Sequence, residues 1–226
     1  MKPTAMIVMA KQPLAGQTKT RLCPPLSPTQ AATLYEGLLL DTLALVDGLP
    51  GIDLAIAITP PTAQPYFRSI TAPGTRLLAV TGPDIGDCLT QALGGVLGMG
   101  YHKALALNSD GPSLPPEYLS RAVAALDEAD IVLGPSLDGG YYLVGMKHLQ
   151  AGLFQGLAWS TDRVFAETLQ RAEELGLRAA LAPGWYDIDT PLDLQRLQDE
   201  LRRLPAERLA HTRRRLSEFR LDPGRA

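Results

Sequence analysis

The chain has 226 residues, of which 46% are hydrophobic and 20% charged, and its formal net charge is −3. These values fit a globular chain with one sizeable core and exclude a disordered one. No apolar run approaches the ~20 residues of a membrane-crossing helix, and Cys23, Cys88 and three histidines make no zinc pattern.

The opening residues, Met1–Ala10, carry a lysine but too short an apolar stretch for a secretory signal. They are expected to form a first strand, Ala5–Ala10, in a cytoplasmic protein with reduced thiols. The spacing predicts a helix from Ser27, with Ser27 as cap, Pro28 in the first position and Gln30 completing a capping box. Leu34, Leu38, Thr42 and Leu45 keep helical spacing, and Gly48 and Pro50 stop the helix. A strand over Leu54–Thr59, a short helix near Pro65–Ile70 and a weaker strand over Leu77–Val80 follow. Next come a helix over Asp87–Gly98, a strand over Lys103–Asn108 and a helix over Pro116–Leu126. Ile131–Pro135 and Tyr141–Gly145 read as two strands joined by a glycine turn, which introduces a mixed element. A helix over Thr161–Leu175, capped by Ser160 or Thr161, leads to a strand over Arg178–Leu181. Thr190 caps a further helix, with Pro191 first and Asp193 third. The alternation of strands and helices predicts an α/β fold with a mainly parallel sheet and a mixed C-terminal part.

Residues 201–226 carry eight basic and three acidic side chains, whereas the remainder of the chain is acidic. This stretch is read as a solvated terminal helix over Pro205–Phe219. With one aromatic, Phe219, it gives no reason to expect a nucleic-acid partner.

Five segments carry the chemistry. Asp110 follows the apolar strand Lys103–Asn108, where open α/β sheets bind ligands. Asp187 and Asp189 lie in Trp185-Tyr-Asp-Ile-Asp-Thr-Pro191. The first loop holds Lys11, Gly16, Lys19, Thr20 and Arg21, a set suited to phosphates, although neither GxxxxGK[ST] nor GxGxxG is present. Taken singly, Asp110 also suits a turn, Asp189 a helix start, and the loop a plain basic surface. Two carboxylates 4 Å apart repel by about 4 kcal/mol at an effective dielectric of 20, and Mg²⁺ or Mn²⁺ relieves that conflict. Asp138, Gly139, Gly140 and Tyr141 form a hairpin turn or a place where a sugar or base meets the backbone, with Tyr141 or Tyr142 stacking. Trp159, Asp162 and Arg163 open a helix and suit an acceptor side, with Asp162 as base or orienter and Arg163 on an anion. His102, His148 and His211 lack a triad context, and Cys88 reads as a small buried residue.

The segments Ala10–Leu22, Asn108–Leu114, Gly134–Leu143, Trp159–Arg163 and Tyr186–Pro191, in this order, resemble a bacterial GT-A-type, glycosyltransferase-like family. It looks like part of the nucleotide-diphospho-sugar transferase superfamily, which also holds the molybdenum-cofactor and phospholactate guanylyltransferases. The resemblance covers roughly residues 5–200. It implies a Rossmann-like GT-A fold; with no Pro/Gly/Ser linker to split the chain, one domain over 1–204 is expected, with 205–226 as a basic tail. It implies the nucleotide over the first loop, Asp110 as strand-end metal ligand, and Asp187 and Asp189 as the second carboxylate side. One departure stands out. Glycosyltransferases of this fold carry Asp-x-Asp at the central strand end, whereas this chain reads Asn108-Ser109-Asp110, closer to nucleotidyltransferases. The expected function is metal-dependent transfer from a nucleotide-activated donor to a small-molecule acceptor, glycosyl transfer first. Nucleotidyl transfer to a phosphorylated small molecule is the alternative, and non-catalytic nucleotide binding a third.

Overall fold

The computed structural model describes residues 4–219. Seven strands form one sheet: β1 (Thr4–Lys11), β2 (Ile52–Thr59), β3 (Arg76–Ala79), β4 (Lys103–Leu107), β5 (Ile131–Pro135), β6 (Tyr141–Met146) and β7 (Ala179–Leu181). Their order is β3-β2-β1-β4-β6-β5-β7. β1 runs parallel to β2 and β4, β2 to β3, and β5 to β7. β6 is antiparallel to both neighbours, β4 and β5. The helices are α1 (Pro28–Asp47), α2 (Gln64–Ile70), α3 (Ile85–Gly98), α4 (Pro116–Ala125), α5 (Val164–Glu174), α6 (Pro191–Arg203) and α7 (Ala210–Ser217).

The chain divides into two compact units. The first comprises Met1–Gln12, Val46–Asn108 and Pro115–Tyr186, and the second Pro13–Leu45, Ser109–Leu114 and Asp187–Ala226. The first unit contains the whole sheet with α2 to α5. Alternate strand residues, Ala5 and Ile7, Ala55 and Ala57, Ala104 and Ala106, Ile131 and Leu133, Val144 and Met146, share one buried cluster with Leu89, Leu93 and Val96 of α3. The intervening residues Met6, Val8, Ile56, Ile58, Leu105 and Leu107 are buried as well. Strands buried on both sides explain why the sequence shows continuous apolar runs rather than alternation.

Most elements lie where the sequence predicts them, and two differ. α5 begins at Val164, not Thr161, and neither Ser160 nor Thr161 caps it by a side-chain bond. Ser160 has φ 63° and the Thr161 hydroxyl donates to Ala158 O at 2.7 Å, so this segment closes a turn before the helix starts. α7 is shorter than the expected Pro205–Phe219 and is docked rather than solvated. The Asp41 carboxylate of α1, itself 7% exposed, accepts from the backbone N–H of His211 and Thr212 at 3.1 and 2.7 Å. Gly37 of α1 lies so close that an added Cβ would sit 3.1 Å from Thr212 Cα. Arg213 donates to the carbonyls of Leu201 and Leu204, and Arg215 pairs with Glu36. Part of the basic C-terminal charge is therefore engaged within the second unit. Residues 220–226, the remainder of the expected basic tail, lie outside the described residues.

Candidate active site

Each of the three stretches of the second unit contributes one charged side chain to a single cluster. Lys19 Nζ lies 2.7 Å from Asp189 Oδ1 and 2.9 Å from Asp110 Oδ2. The lysine side chain is 5% exposed, while Asp110 and Asp189 keep 29% and 33% of theirs open. The ammonium is thus buried and the carboxylates partly face outward. Burial alone would lower the lysine pKa. The charges and hydrogen bonds of Asp110 and Asp189 outweigh it and hold the group well above its ordinary range.

Local structure fixes this arrangement. Leu14 O accepts from Gln17 N and Thr18 N, and Gly16 turns the loop at φ 76°. Lys19 then takes a left-handed conformation, φ 51° and ψ 39°, before a short 3₁₀ turn over Thr20–Leu22. A lysine adopts that backbone only at some cost, so tertiary contacts must hold it. Thr20 and Arg21 are exposed on the turn. On the carboxylate side, Asp110 O accepts from Ile188 N at 3.1 Å, tying the two acidic stretches together. Ser109 donates to Asp110 Oδ1 at 3.4 Å and shares a 2.9 Å hydroxyl bond with Tyr35, which is buried on α1. The Tyr35 ring centroid is 6.0 Å from the Lys19 ammonium. Asp189 precedes the capping box of α6. Asp193 Oδ2 accepts from Asp189 N at 3.2 Å and from Thr190 N at 2.7 Å. Ser109, Tyr35 and the second role of Asp193 were not singled out from sequence. Tyr35 has a visible signal, a hydroxyl within the aliphatic stripe Leu34, Leu38 and Leu39.

The cluster fits a hard divalent cation by donor type. Two carboxylates converge, and Asp110 Oδ1 and Asp189 Oδ2 are the oxygens that Lys19 does not use. Asp187 is half-buried, and among the described residues no group of three or more His, Cys, Asp or Glu gathers in a metal-holding arrangement.

The other candidate residues lie in the first unit. Lys11 is exposed at the end of β1. Asp138 is exposed and accepts from Gly140 N at 3.0 Å, as turn chemistry demands. Gly139 has φ 88°, and an added Cβ would lie 2.1 Å from Asp162 O. The close approach at this glycine is therefore made by the backbone of the Trp159–Arg163 segment, and Phe165 N donates to Gly139 O at 2.9 Å. Tyr142 does not offer a stacking face: it is 2% exposed and donates to Pro183 O. Tyr141 meets Trp159 edge-on at 6.4 Å, and burial pushes its phenol well above the usual range. Trp159 also packs on Gly86, where a Cβ would be 2.7 Å from the indole. Asp162 and Arg163 are exposed, and Arg163 lies 3.6 Å from Glu167. Arg163, Glu167, Gln170 and Arg171 line a cavity of about 360 Å³. Cys88 is buried, and its thiol is raised by that burial and by Asp87 and Asp84, consistent with a packing role.

Comparison with solved structures defines the class. A crystal structure from Desulfovibrio desulfuricans G20, provisionally named a nucleotide-diphospho-sugar transferase, matches with TM-score 0.89 and 28% identity over 96% of this chain and 95% of that one. 4-Diphosphocytidyl-2C-methyl-D-erythritol synthase from Anaerococcus prevotii DSM 20548 matches with TM-score 0.61 and 12% identity over 89% and 97%. CMP:2-keto-3-deoxy-manno-octonic acid synthetase complexed with CTP matches with TM-score 0.57 and 11% identity over 88% and 99%. The chain has the nucleotide-diphospho-sugar transferase fold, as its motifs imply. It belongs to the family described as an uncharacterized protein conserved in bacteria, DUF2064, which matches residues 42–161. A comparison with curated proteins finds no match. Among the described residues no helix is long and apolar enough to cross a membrane.

Proposed function

We propose that this chain is a transferase drawing on a nucleotide-activated donor, and that it moves a glycosyl group from a nucleotide-diphospho-sugar. The supporting observation is the meeting of Asp110 and Asp189 on the ammonium of Lys19, although Lys19 and Asp189 are 170 residues apart. Asp110 and Asp189 would hold Mg²⁺ or Mn²⁺, with Asp187 nearby in the chain. Such a cation supplies neutralisation of phosphate charge as the donor bond breaks. Lys19, Thr20 and Arg21 belong to the phosphate side, with Lys11 and Gly16 in the same loop. Asp138, Gly140 and Tyr141 are assigned to the transferred group, with Gly139 packing their turn against Asp162, and Trp159, Asp162 and Arg163 to the acceptor, Asp162 orienting its nucleophile and Arg163 binding an anionic part.

A second reading, nucleotidyl transfer to a phosphorylated small molecule, draws support from the single carboxylate after β4, Asp110, where Asp-x-Asp would supply two. Product analysis separates the readings. A glycosyltransferase releases nucleoside diphosphate and slowly hydrolyses its donor without acceptor. A nucleotidyltransferase releases pyrophosphate from a nucleoside triphosphate only when the phosphorylated acceptor is present. A thermal-shift panel of triphosphates and diphospho-sugars with Mn²⁺ or Mg²⁺ should find a stabiliser, about 2.7 kcal/mol at a hundredfold excess over Kd. Asp110→Asn should abolish metal-dependent nucleotide binding with the fold intact. Unchanged affinity of that variant by calorimetry would overturn the metal assignment.

A further inference from the structure

The carboxylate pair already contains a cation, and it is built in. Lys19 is held in a left-handed backbone, its side chain is buried, and its ammonium contacts both carboxylates above the ring of Tyr35. It lowers the formal charge of the pair from −2 to −1. A free divalent ion arriving at the oxygens that Lys19 does not use would meet that reduced charge and the repulsion of the ammonium. A polyphosphate changes the balance, because its oxygens bind the metal and also attract the ammonium. Two of the three ammonium donors are committed to Asp110 and Asp189, which leaves one for an oxyanion. Exposed Thr20 and Arg21 follow directly in the chain.

We propose that Lys19 determines what this site accepts: it disfavours a free divalent cation and favours one that arrives with a polyphosphate. The inference rests on the reading of Asp110 and Asp189 as metal ligands. Lys19 is then more than a phosphate contact. It is an internal competitor for the metal position and becomes an ally of the metal once phosphate is bound.

The opposite role, an organiser without which the carboxylates splay apart, predicts the opposite sign on removal, so the two are separable. At a spacing of about 5 Å, repulsion between an ammonium and a divalent ion amounts to at least about tenfold in affinity even at the dielectric of water. Titration calorimetry with MnCl₂ alone, and again with saturating pyrophosphate, supplies the test. The wild type should bind Mn²⁺ alone weakly and at least about tenfold more tightly with pyrophosphate. Lys19→Met should bind Mn²⁺ alone about tenfold more tightly than wild type and lose most of the pyrophosphate enhancement. Lys19→Arg, which keeps the charge, should show no such tightening. Should Lys19→Met fail to fold, Lys19→Gln keeps hydrogen-bond donors, drops the charge and carries the same expectation. A neutral variant that binds Mn²⁺ alone no more tightly than wild type overturns the proposal. Asp110→Asn is measured alongside. If Mn²⁺ binding survives that change, the metal reading itself is wrong. If it is lost while the neutral Lys19 variants fail to tighten, only the role given to Lys19 is wrong.

Discussion

Gly139 illustrates what one residue decides. Its φ of 88° and the backbone of Asp162, whose O would lie 2.1 Å from an added Cβ, leave no room for a side chain. Gly139→Ala should therefore destabilise the fold by more than about 2 kcal/mol, measured by urea unfolding, because strain and a backbone clash add. The glycine turn was legible in the sequence, since Asp-Gly-Gly carries its own turn chemistry. What fills the space beside it was not, because nothing local to residue 139 specifies residue 162. Lys19 makes the same point about charge. Its place in a basic loop after β1 led to the expectation of a phosphate contact, but the left-handed backbone that turns it onto two carboxylates is not written in its immediate neighbours. It also sets a pH response. Lys19, Tyr141 and Tyr142 all have raised folded-state values. Each contribution is complete below the unfolded pKa, about 10 for these groups, and is lost as pH rises through the folded value. The melting temperature should fall steeply from about pH 10 upward, and Lys19→Met should make that fall shallower.

Among the elements, helix starts divide into two kinds. Those set by reciprocal caps, Ser27 with Gln30 and Thr190 with Asp193, stand where the sequence places them. α5 does not, because Ser160, Thr161 and Asp162 offer several polar starts and the contact with Gly139 selects a later one. α7 was legible as a helix but not as a docked one, since its cap, Asp41, is 171 residues away from Thr212. Asp41→Ala should lower stability by about 1–2 kcal/mol, as loss of a helix cap does, and differential scanning calorimetry will register it. Asp193→Ala tests a coupling. It removes the α6 box and the hold on Asp189 N together, so it should weaken Mn²⁺–pyrophosphate binding as well as stability. Thr190→Ala removes the hydroxyl, which accepts from Asp193 N and donates to Asp193 Oδ2, but leaves that carboxylate in place for Asp189 N; it should lower stability by about 1 kcal/mol with a smaller effect on that binding than Asp193→Ala.

For the molecule as a whole, the alternation of strands and helices was enough to identify an α/β sheet, and the glycine hairpin was enough to announce a mixed portion. The place of β6 between β4 and β5 was not legible, because strand pairing joins segments whose partners are chosen by the whole sheet. The acids after β4 and before α6 were legible as a pair by chemistry, while their convergence needed coordinates. The division of the chain carries a consequence for how the protein comes into being. The second unit is made of three returns of the chain, and Lys19, Asp110 and Asp189 come one from each. During synthesis the first two therefore wait for the third, because Asp189 is made 79 residues after Asp110. A nascent chain arrested before Asp187 should bind no Mn²⁺–pyrophosphate, and one released in full should bind it. Ligand capture thus depends on the last of the three stretches to be made.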